Sequence, residues 1–305
     1  MLRFDIKNAK RCLDKGKSIG KLIGSWDSSL HVLQPVHDSK IQRLNIMIQG
    51  VKYSYLGYYC NPEGSAIGLA MTNDPMGKWY RYSGNPILGS RIRCYFLLRR
   101  LLQSISLLLN RYRWPSVTYV NGMFHMFYCD SSGRNLKRAI SSDPFFFSNV
   151  ETIERGEMYY NPFIWRNPNN GRWHLYYHLM NPFEKIVCRS ADSIEYLRRA
   201  SPVEVLSIKE NEKYNICASP SITYFDSRYY MAIESKDENG KWIIRIYSSQ
   251  SPTGPFKSEE ILHFKGSCAC PILMLGSDED VVYCFFNHEF SQGLWDQYVM
   301  RSIKA

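Results

Sequence analysis

The sequence predicts an all-β protein, folded as a five-bladed β-propeller with one inserted amphipathic helix. Aromatic residues, which favour strands, make up 14% of the 305 residues. In addition, one sequence motif recurs five times: an apolar strand, a Ser or Thr, then a polar or acidic residue, often before Pro. The copies lie at residues 67–75, 136–144, 186–192, 243–252 and 297–303. Recurrence of a motif at spacings of this size indicates repeats of one supersecondary unit, as in a propeller.

A second motif precedes the later copies of the first motif and predicts the inner hairpin of each blade. Its prolines, Pro115, Pro162, Pro220 and Pro271, lie 47, 58 and 51 residues apart. Each proline is followed by a short apolar run, a turn, and a strand of alternating aromatic residues. In the second blade the turn is Asn121-Gly122, a strong hairpin signal.

The first blade is the most divergent. Its inner strand is predicted at Arg43–Gln49 without the proline, followed by strands at Lys52–Tyr59 and Ile67–Thr72. We therefore predict a basic N-terminal extension over residues 1–35 and a single propeller domain over residues 36–305.

The formal charge of +10 is confined to two short segments. Residues 1–21 contribute +5 and residues 91–113 contribute +6, which leaves the rest of the chain near −1. A nucleic-acid groove would spread its charge over the fold, so we predict no nucleic-acid partner.

The inserted helix is predicted at about residues 91–112, between the first two blades. Apolar residues from Leu97 to Leu109 follow the spacing of one helical face, and the arginines Arg93, Arg99 and Arg100 argue against a bilayer span. The helix could pack on the propeller or on a protein partner, or it could lie on a membrane surface.

No cofactor or metal is predicted. The nine cysteines are odd in number and contain no pair of Cys-x-x-Cys motifs with zinc spacing. His174 and His178 are four residues apart, but on a strand that spacing separates them by about 13 Å. The start of the chain lacks the apolar run of a secretory signal, and reduced thiols favour a cytoplasmic location.

Three features of the sequence carry a resemblance to a known family. They are the X-Pro motifs at Trp114–Val117, Asn161–Ile164 and Ser219–Ile222, the Tyr-rich second strands, and the Ser-Asp-Pro sequences that end some of the repeats. The sequence resembles the five-bladed glycoside hydrolases of family 43, with relatives in families 32, 68 and 130, over roughly residues 36–305. The resemblance implies hydrolysis of a glycosidic bond by paired carboxylates over a central funnel.

The family's catalytic pattern is not matched residue by residue. The resemblance implies an Asp before the proline of blades one and two, and a Glu two residues before a later proline. The corresponding positions hold Arg43 or Leu44, Trp114 and Ala218, and the blade-three position holds Asn161. None of these is a carboxylate.

Carboxylates that could replace the missing ones are predicted where the second strand of each blade ends. An antiparallel hairpin brings this point back to the end of the blade at which its first strand began. The residues at these ends are Glu63, Asp130, His178, Glu234, His288 and Glu289. We select Asp130 and Glu234 as the catalytic pair, on non-adjacent blades. The predicted substrate-binding residues are Trp114, Asn161, His178, Ser219, His288 and Glu289.

Three functions remain open from the sequence. The protein could cleave a glycan or glycoside with displaced carboxylates, it could bind a carbohydrate ligand without cleaving it, or it could act as a scaffold docked to a membrane or partner through Leu97–Leu109.

Overall fold

The computed structural model describes residues 2–13, 46–60, 66–89, 112–130, 133–157, 159–180, 184–207, 216–276, 280–291 and 294–303. The chain begins with two strands and a short 3-10 helix, and the first blade follows. These elements are β1 (Arg3–Phe4), η1 (Ile6–Asn8), β2 (Lys10–Leu13), β3 (Ile46–Ile48), β4 (Val51–Tyr53), β5 (Tyr55–Cys60), β6 (Ala66–Thr72), β7 (Tyr80–Arg81) and β8 (Leu88–Gly89). Strands β3 and β4 form one hairpin, and β5, β6, β7 and β8 form one sheet.

Blades two to five follow in chain order. Blade two contains β9 (Tyr112–Val120), β10 (Met123–Asp130), β11 (Asn135–Ser141) and β12 (Ser148–Arg155). Blade three contains β13 (Tyr159–Arg166), β14 (Trp173–Leu179), β15 (Lys185–Ala191), the 3-10 helix η2 (Ile194–Arg198) and β16 (Val203–Ser207). Blade four contains β17 (Ala218–Phe225), β18 (Arg228–Lys236), β19 (Trp242–Ser249) and β20 (Lys257–Leu262). Blade five contains β21 (Cys268–Leu275), β22 (Val282–Ser291) and β23 (Leu294–Ile303).

The blades form a ring, which confirms the predicted five-bladed propeller. Strands of successive blades lie side by side: β5 contacts β9, β9 contacts β13, β13 contacts β17, and β17 contacts β21. Five apolar clusters fill the spaces between neighbouring blades, including the space between blade five and blade one. Strand alternation supplies these clusters, because Met126 of β10 faces blade one while Phe127 faces blade three.

The ring is closed by the start of the chain. Strands β1 and β2 both pair antiparallel with β23, so residues 3–4 and 10–13 supply the outer edge of blade five. This pairing lies within the predicted 1–35 extension, and the sequence pattern did not indicate it. The limits 1–35 and 36–305 remain predictions.

The predicted hairpins are present. Asn121 and Gly122 both have positive φ, 51° and 79°, as the tight turn between β9 and β10 requires. Asp226 and Ser227 also have positive φ, 48° and 59°, in the turn between β17 and β18.

The predicted helix at residues 91–112 lies outside the described residues, apart from Tyr112, which begins β9. The docking segment Leu97–Leu109 therefore remains a prediction. Across the described ranges, no helix is both long enough and apolar enough to cross a bilayer.

Candidate functional site

The funnel is built from one repeated backbone feature. In blades two to five, the register of the inner hairpin shifts at the X-Pro dipeptide of β9, β13, β17 and β21. The residue before each proline has a left-handed φ, and these residues are Trp114 (54°), Asn161 (47°), Ser219 (50°) and Cys270 (51°). Such a bulge re-aims the side chain relative to a regular strand.

These four residues meet at the propeller axis. Together with the four prolines and Ile272 they line a small pocket with a cavity volume of about 30 Å³. That volume holds about one or two water molecules and is far below the about 300–1,000 Å³ of typical small-molecule sites. The pocket brings together three of the predicted binding residues, Trp114, Asn161 and Ser219.

A chain of polar contacts crosses the pocket. The Asn161 Nδ2 donates a hydrogen bond to Ser219 Oγ at 2.6 Å, and the Ser219 hydroxyl in turn donates to Cys270 Sγ at 3.9 Å. The side-chain oxygen Oδ1 of Asn161 has no hydrogen-bond partner among the residues described. This oxygen is itself buried, so it is an unsatisfied acceptor next to the pocket.

Glu234 lies beside this chain, at the inner end of β18 opposite Ala218. Its side chain is buried, and its Oε2 accepts a hydrogen bond from the backbone N–H of Cys270 at 2.7 Å. Burial raises the pKa of the Glu234 carboxyl, and the hydrogen bonds from Cys270 and Ser219 oppose that rise. A carboxyl with a raised pKa is suited to proton donation.

A second carboxylate, Glu184, is held in the same way one blade earlier. Glu184 directly precedes β15, and its Oε2 accepts the backbone N–H of Cys217, at the entry to the inner strand of blade four, at 3.1 Å. Burial raises the pKa of the Glu184 carboxyl, and the charge of Glu234 raises it further. The charge of Glu234 therefore acts on the Glu184 carboxyl of the preceding blade.

Glu184 is not among the residues predicted from the sequence, which are those directly after each second strand. Glu184 lies at the far side of the loop, immediately before the third strand. The available signal was its position, since a residue at the start of a third strand lies at the same end of the blade.

His178 connects Glu184 to the aromatic wall of the funnel. Its Nε2 lies 3.6 Å from Glu184 Oε2, and its ring lies 5.7 Å from that of Tyr160, which lies 4.7 Å from Trp114. Burial lowers the pKa of His178 to about 4, so the imidazole is neutral at pH 7.

The other predicted residues lie elsewhere on the blades. The carboxylate of Asp130 contacts Asn135 and lies 3.7 Å from Lys137 Nζ, both on β11 of its own blade. His288 lies between the rings of Phe264 and Tyr298, at 5.8 Å and 5.2 Å. These contacts do not bring Asp130 to Glu234.

Glu289 follows His288 on β22 and is only partly buried. Its backbone N–H donates to the carbonyl of Ser267 at 2.8 Å. Within the described part of the chain, no group of three or more His, Cys, Asp or Glu side chains is arranged to hold a metal ion.

Solved structures share this architecture. A thermostable family-43 glycoside hydrolase superimposes with a TM-score of 0.60 at 15% identity, covering 82% of this chain and 86% of that one. The chain has the fold of the family 43 glycoside hydrolases. An endo-1,4-beta-xylanase from Bacteroides thetaiotaomicron gives 0.61 at 14% identity, covering 92% and 97%. A GH43_1 enzyme from Xanthomonas citri complexed with xylose gives 0.61 at 11% identity, covering 94% and 92%.

No protein-family model matches the sequence, and no curated protein matches it either. At these identities the likeness establishes the fold alone.

Proposed function

We propose that this protein acts as a glycoside hydrolase on a glycan or glycoside bound at the central funnel, with Glu234 and Glu184 as its two carboxylates. The observation that carries the proposal is their matched placement. Each carboxylate accepts a backbone N–H at or next to the inner strand of the next blade, Cys270 for Glu234 and Cys217 for Glu184. Both are thereby held at the inner rim.

The two carboxyls suit different roles in hydrolysis. Glu234 is the more deeply buried, so its carboxyl is the better proton donor to the leaving glycosidic oxygen. Glu184 is more exposed and would act as the base that takes a proton from the attacking water, or as the nucleophile at the anomeric carbon. Glu184 replaces Asp130 in the pair, because the Asp130 carboxylate is engaged by Asn135 and Lys137.

The funnel wall supplies groups that suit a sugar. Trp114 offers an indole face, and the Asn161 amide and the Ser219 hydroxyl line the same pocket as polar groups. Two similar structures carry xylose and cellotriose in their crystals, which supports a carbohydrate ligand for this chain as well.

Carbohydrate binding without cleavage is the second candidate function. It is favoured by the neutral side chains of Trp114, Asn161 and Ser219 at the repeated X-Pro position, because these groups can bind a sugar but cannot transfer its proton. His288 and Glu289, which the sequence places near the rim, stay part of the proposed binding surface.

A cytoplasmic location is also part of the proposal. The eight cysteines in the described ranges are all buried and form no disulfide with one another. Thiols in this number are typical of a reducing compartment.

The test is turnover of a panel of aryl glycosides and oligosaccharides by the wild type and four single variants. We expect Glu234→Gln and Glu184→Gln each to lower kcat/KM by about 100-fold or more. The controls Asp130→Asn and Glu204→Gln should stay within about twofold, since Glu204 is half exposed on the outer strand β16.

The other outcomes separate the alternatives. A loss in Asp130→Asn as large as that in Glu234→Gln would restore the pair predicted from the sequence. Full turnover in both Gln variants would refute the proposed carboxylates. No turnover by the wild type, together with saturable glycan binding, would make this a carbohydrate-binding protein.

A further inference from the structure

A second cleft lies between blades three and four, at the opposite end of the blades from the funnel. His174 marks its position at the start of β14, four residues before His178 and therefore about 13 Å along the strand. The cleft has about 830 Å³ of empty space, including the part open to solvent. Its polar lining consists mainly of Asn170, Arg172, His174, Ser190, Ser251 and Thr253.

The lining is rich in hydrogen-bond donors. It contains a guanidinium, an imidazole, an amide and hydroxyl groups, and no carboxylate is among the described residues that form it. It also lacks a Trp, Tyr or Phe face on which a sugar ring could stack. The chemistry therefore favours a ligand that presents acceptors and negative charge.

His174 is the buried member of this set. Its side chain is only 3% exposed, and its Nδ1 lies 2.8 Å from Ser190 Oγ. Its Nε2 has no hydrogen-bond partner in the described parts of the chain. Burial, assisted by the charge of Arg172, lowers the pKa of His174 to about 4. If the Ser190 hydroxyl donates to Nδ1, the neutral ring keeps its proton on Nε2 and can donate it.

Arg172 supplies the positive charge. Its Nε lies 3.1 Å from Asp192 Oδ1, but the Asp192 side chain is 86% exposed and that of Arg172 is 47% exposed. Exposed ion pairs contribute little free energy, so the guanidinium can exchange this partner for a ligand at small cost.

The thiol of Cys188 also lines the cleft, but it is not set up for chemistry. Burial raises its pKa to about 12, so it is a protonated thiol at neutral pH. The cleft is therefore equipped for binding and not for a nucleophilic reaction.

We propose that this cleft binds a small molecule through its carboxylate or phosphate group, held by the Arg172 guanidinium and the neighbouring hydroxyls, with the His174 imidazole in the wall beside it. The bidentate geometry of a guanidinium matches both oxyanions. This site is separate from the funnel, so its occupancy does not depend on the proposed hydrolase activity.

The test is calorimetric titration of the full chain with glucose 6-phosphate, glucuronate, inorganic phosphate and, as the neutral probe, glucose. We expect the anionic probes to bind and glucose not to bind at this site. Arg172→Gln should weaken the anionic probes by about tenfold or more. The matched control Arg228→Gln should change binding less than about twofold, because Arg228 is 49% exposed, is ion-paired to Glu259 and lies outside the cleft.

A second readout locates the site without a folding risk. On titration with the anionic probe, the imidazole nitrogen signal of His174 should move, while that of His125 should stay fixed. Binding of inorganic phosphate without binding of glucose 6-phosphate or glucuronate would support a free oxyanion as the ligand. Binding of glucose 6-phosphate or glucuronate without binding of inorganic phosphate would support a phosphorylated or carboxylated metabolite. Equal binding of the anionic probes by Arg172→Gln, a His174 signal shift with glucose as large as with its phosphate, or no binding by any anion would overturn the proposal.

Discussion

At the scale of single residues, the funnel depends on backbone conformations that most side chains avoid. Trp114, Asn161, Ser219 and Cys270 are not glycines, yet all have φ near +50°. Left-handed conformations of this kind cost about 1–3 kcal/mol each and persist only where the surrounding structure enforces them. Their recurrence before four prolines indicates that the bulge is maintained for the placement of the side chains.

Buried histidines make stability depend on pH. His125 is 5% exposed, and burial, followed by the charge of Arg138, lowers its pKa to about 4 from 6.5 in the unfolded chain. The unfolded state therefore binds more protons between these values, so this contribution to stability is complete above pH 6.5 and decreases as the pH falls toward 4.

We predict that His125→Asn makes the free energy of unfolding less dependent on pH. Between pH 7 and pH 5 the wild type should lose about 2 kcal/mol more than the variant, because each pKa unit corresponds to about 1.4 kcal/mol. Urea unfolding at several pH values measures the difference. Parallel curves for the two proteins would show that His125 is not buried as the neutral form.

The equivalence of Trp114, Asn161 and Ser219 could be predicted from the sequence, because a proline follows that position in four of the five repeats. Their role in binding stays a prediction. The orientation of Asp130 could not be predicted, because its contact with Asn135 is a property of the turn between β10 and β11. Glu184 was missed because loop residues carry no periodic signal.

At the scale of secondary structure elements, serines of the inner strands join neighbouring blades. The hydroxyl oxygen of Ser116 on β9 accepts the backbone N–H of Ile164 on β13 at 2.9 Å. Ser221 on β17 accepts that of Leu273 on β21 at 3.1 Å. Because β13 and β21 are edge strands of their sheets, these bonds give N–H groups on the unpaired edge a partner in the neighbouring blade.

We predict that Ser221→Ala lowers the free energy of unfolding by about 1–3 kcal/mol, because the Leu273 N–H becomes a buried donor without a partner. Chemical denaturation measures the loss. Ser258→Ala on the exposed face of β20 is the control and should change stability by less than about 0.5 kcal/mol. Equal stability of the two variants would contradict the inter-blade role of Ser221.

Blades two and three are joined by a buried arginine. The guanidinium of Arg189 contacts Glu154 on β12, donates to Tyr177 Oη at 3.2 Å, and reaches the carbonyls at the end of η2. Its side chain is only 8% exposed, so its charge depends on these partners.

We predict that Arg189→Met lowers stability by about 3–5 kcal/mol, because Glu154 is left without its buried partner and η2 loses its anchor. Arg198→Met is the comparison, since Arg198 is 60% exposed and lies 4.0 Å from Glu151. Thermal and urea unfolding of both variants would provide the test. A smaller loss in Arg189→Met than in Arg198→Met would rule out the anchoring role.

At the scale of the whole molecule, the propeller is stabilised by closure of the ring. The first and last strands of the described chain meet in blade five, where β1 pairs with β23 in the register Phe4↔Ser302. The repeats predicted the blades, because each is a local hairpin pattern. They could not predict this closure, because the two strands are joined only by the intervening blades.

We predict that Phe4→Ala lowers the free energy of unfolding by about 3–5 kcal/mol and the Tm of the whole molecule, since Phe4 is 6% exposed in the apolar cluster between blades four and five. Ile303→Ala, on the paired strand but 46% exposed, should have a small effect. Calorimetry would show one transition shifted as a unit. A separate early transition would mean that the N-terminal strands melt independently of the ring.

The buried cysteines give the propeller a set of internal reporters. Blades one to four hold Cys60, Cys129, Cys188 and Cys217 in turn, and blade five holds Cys12, Cys268, Cys270 and Cys284. Burial protects these thiols from alkylating reagents, and each becomes reactive only when its blade opens. Pulsed alkylation followed by mass spectrometry would therefore time the opening of each blade in the natural sequence, and show whether the ring comes apart at its closure or all at once.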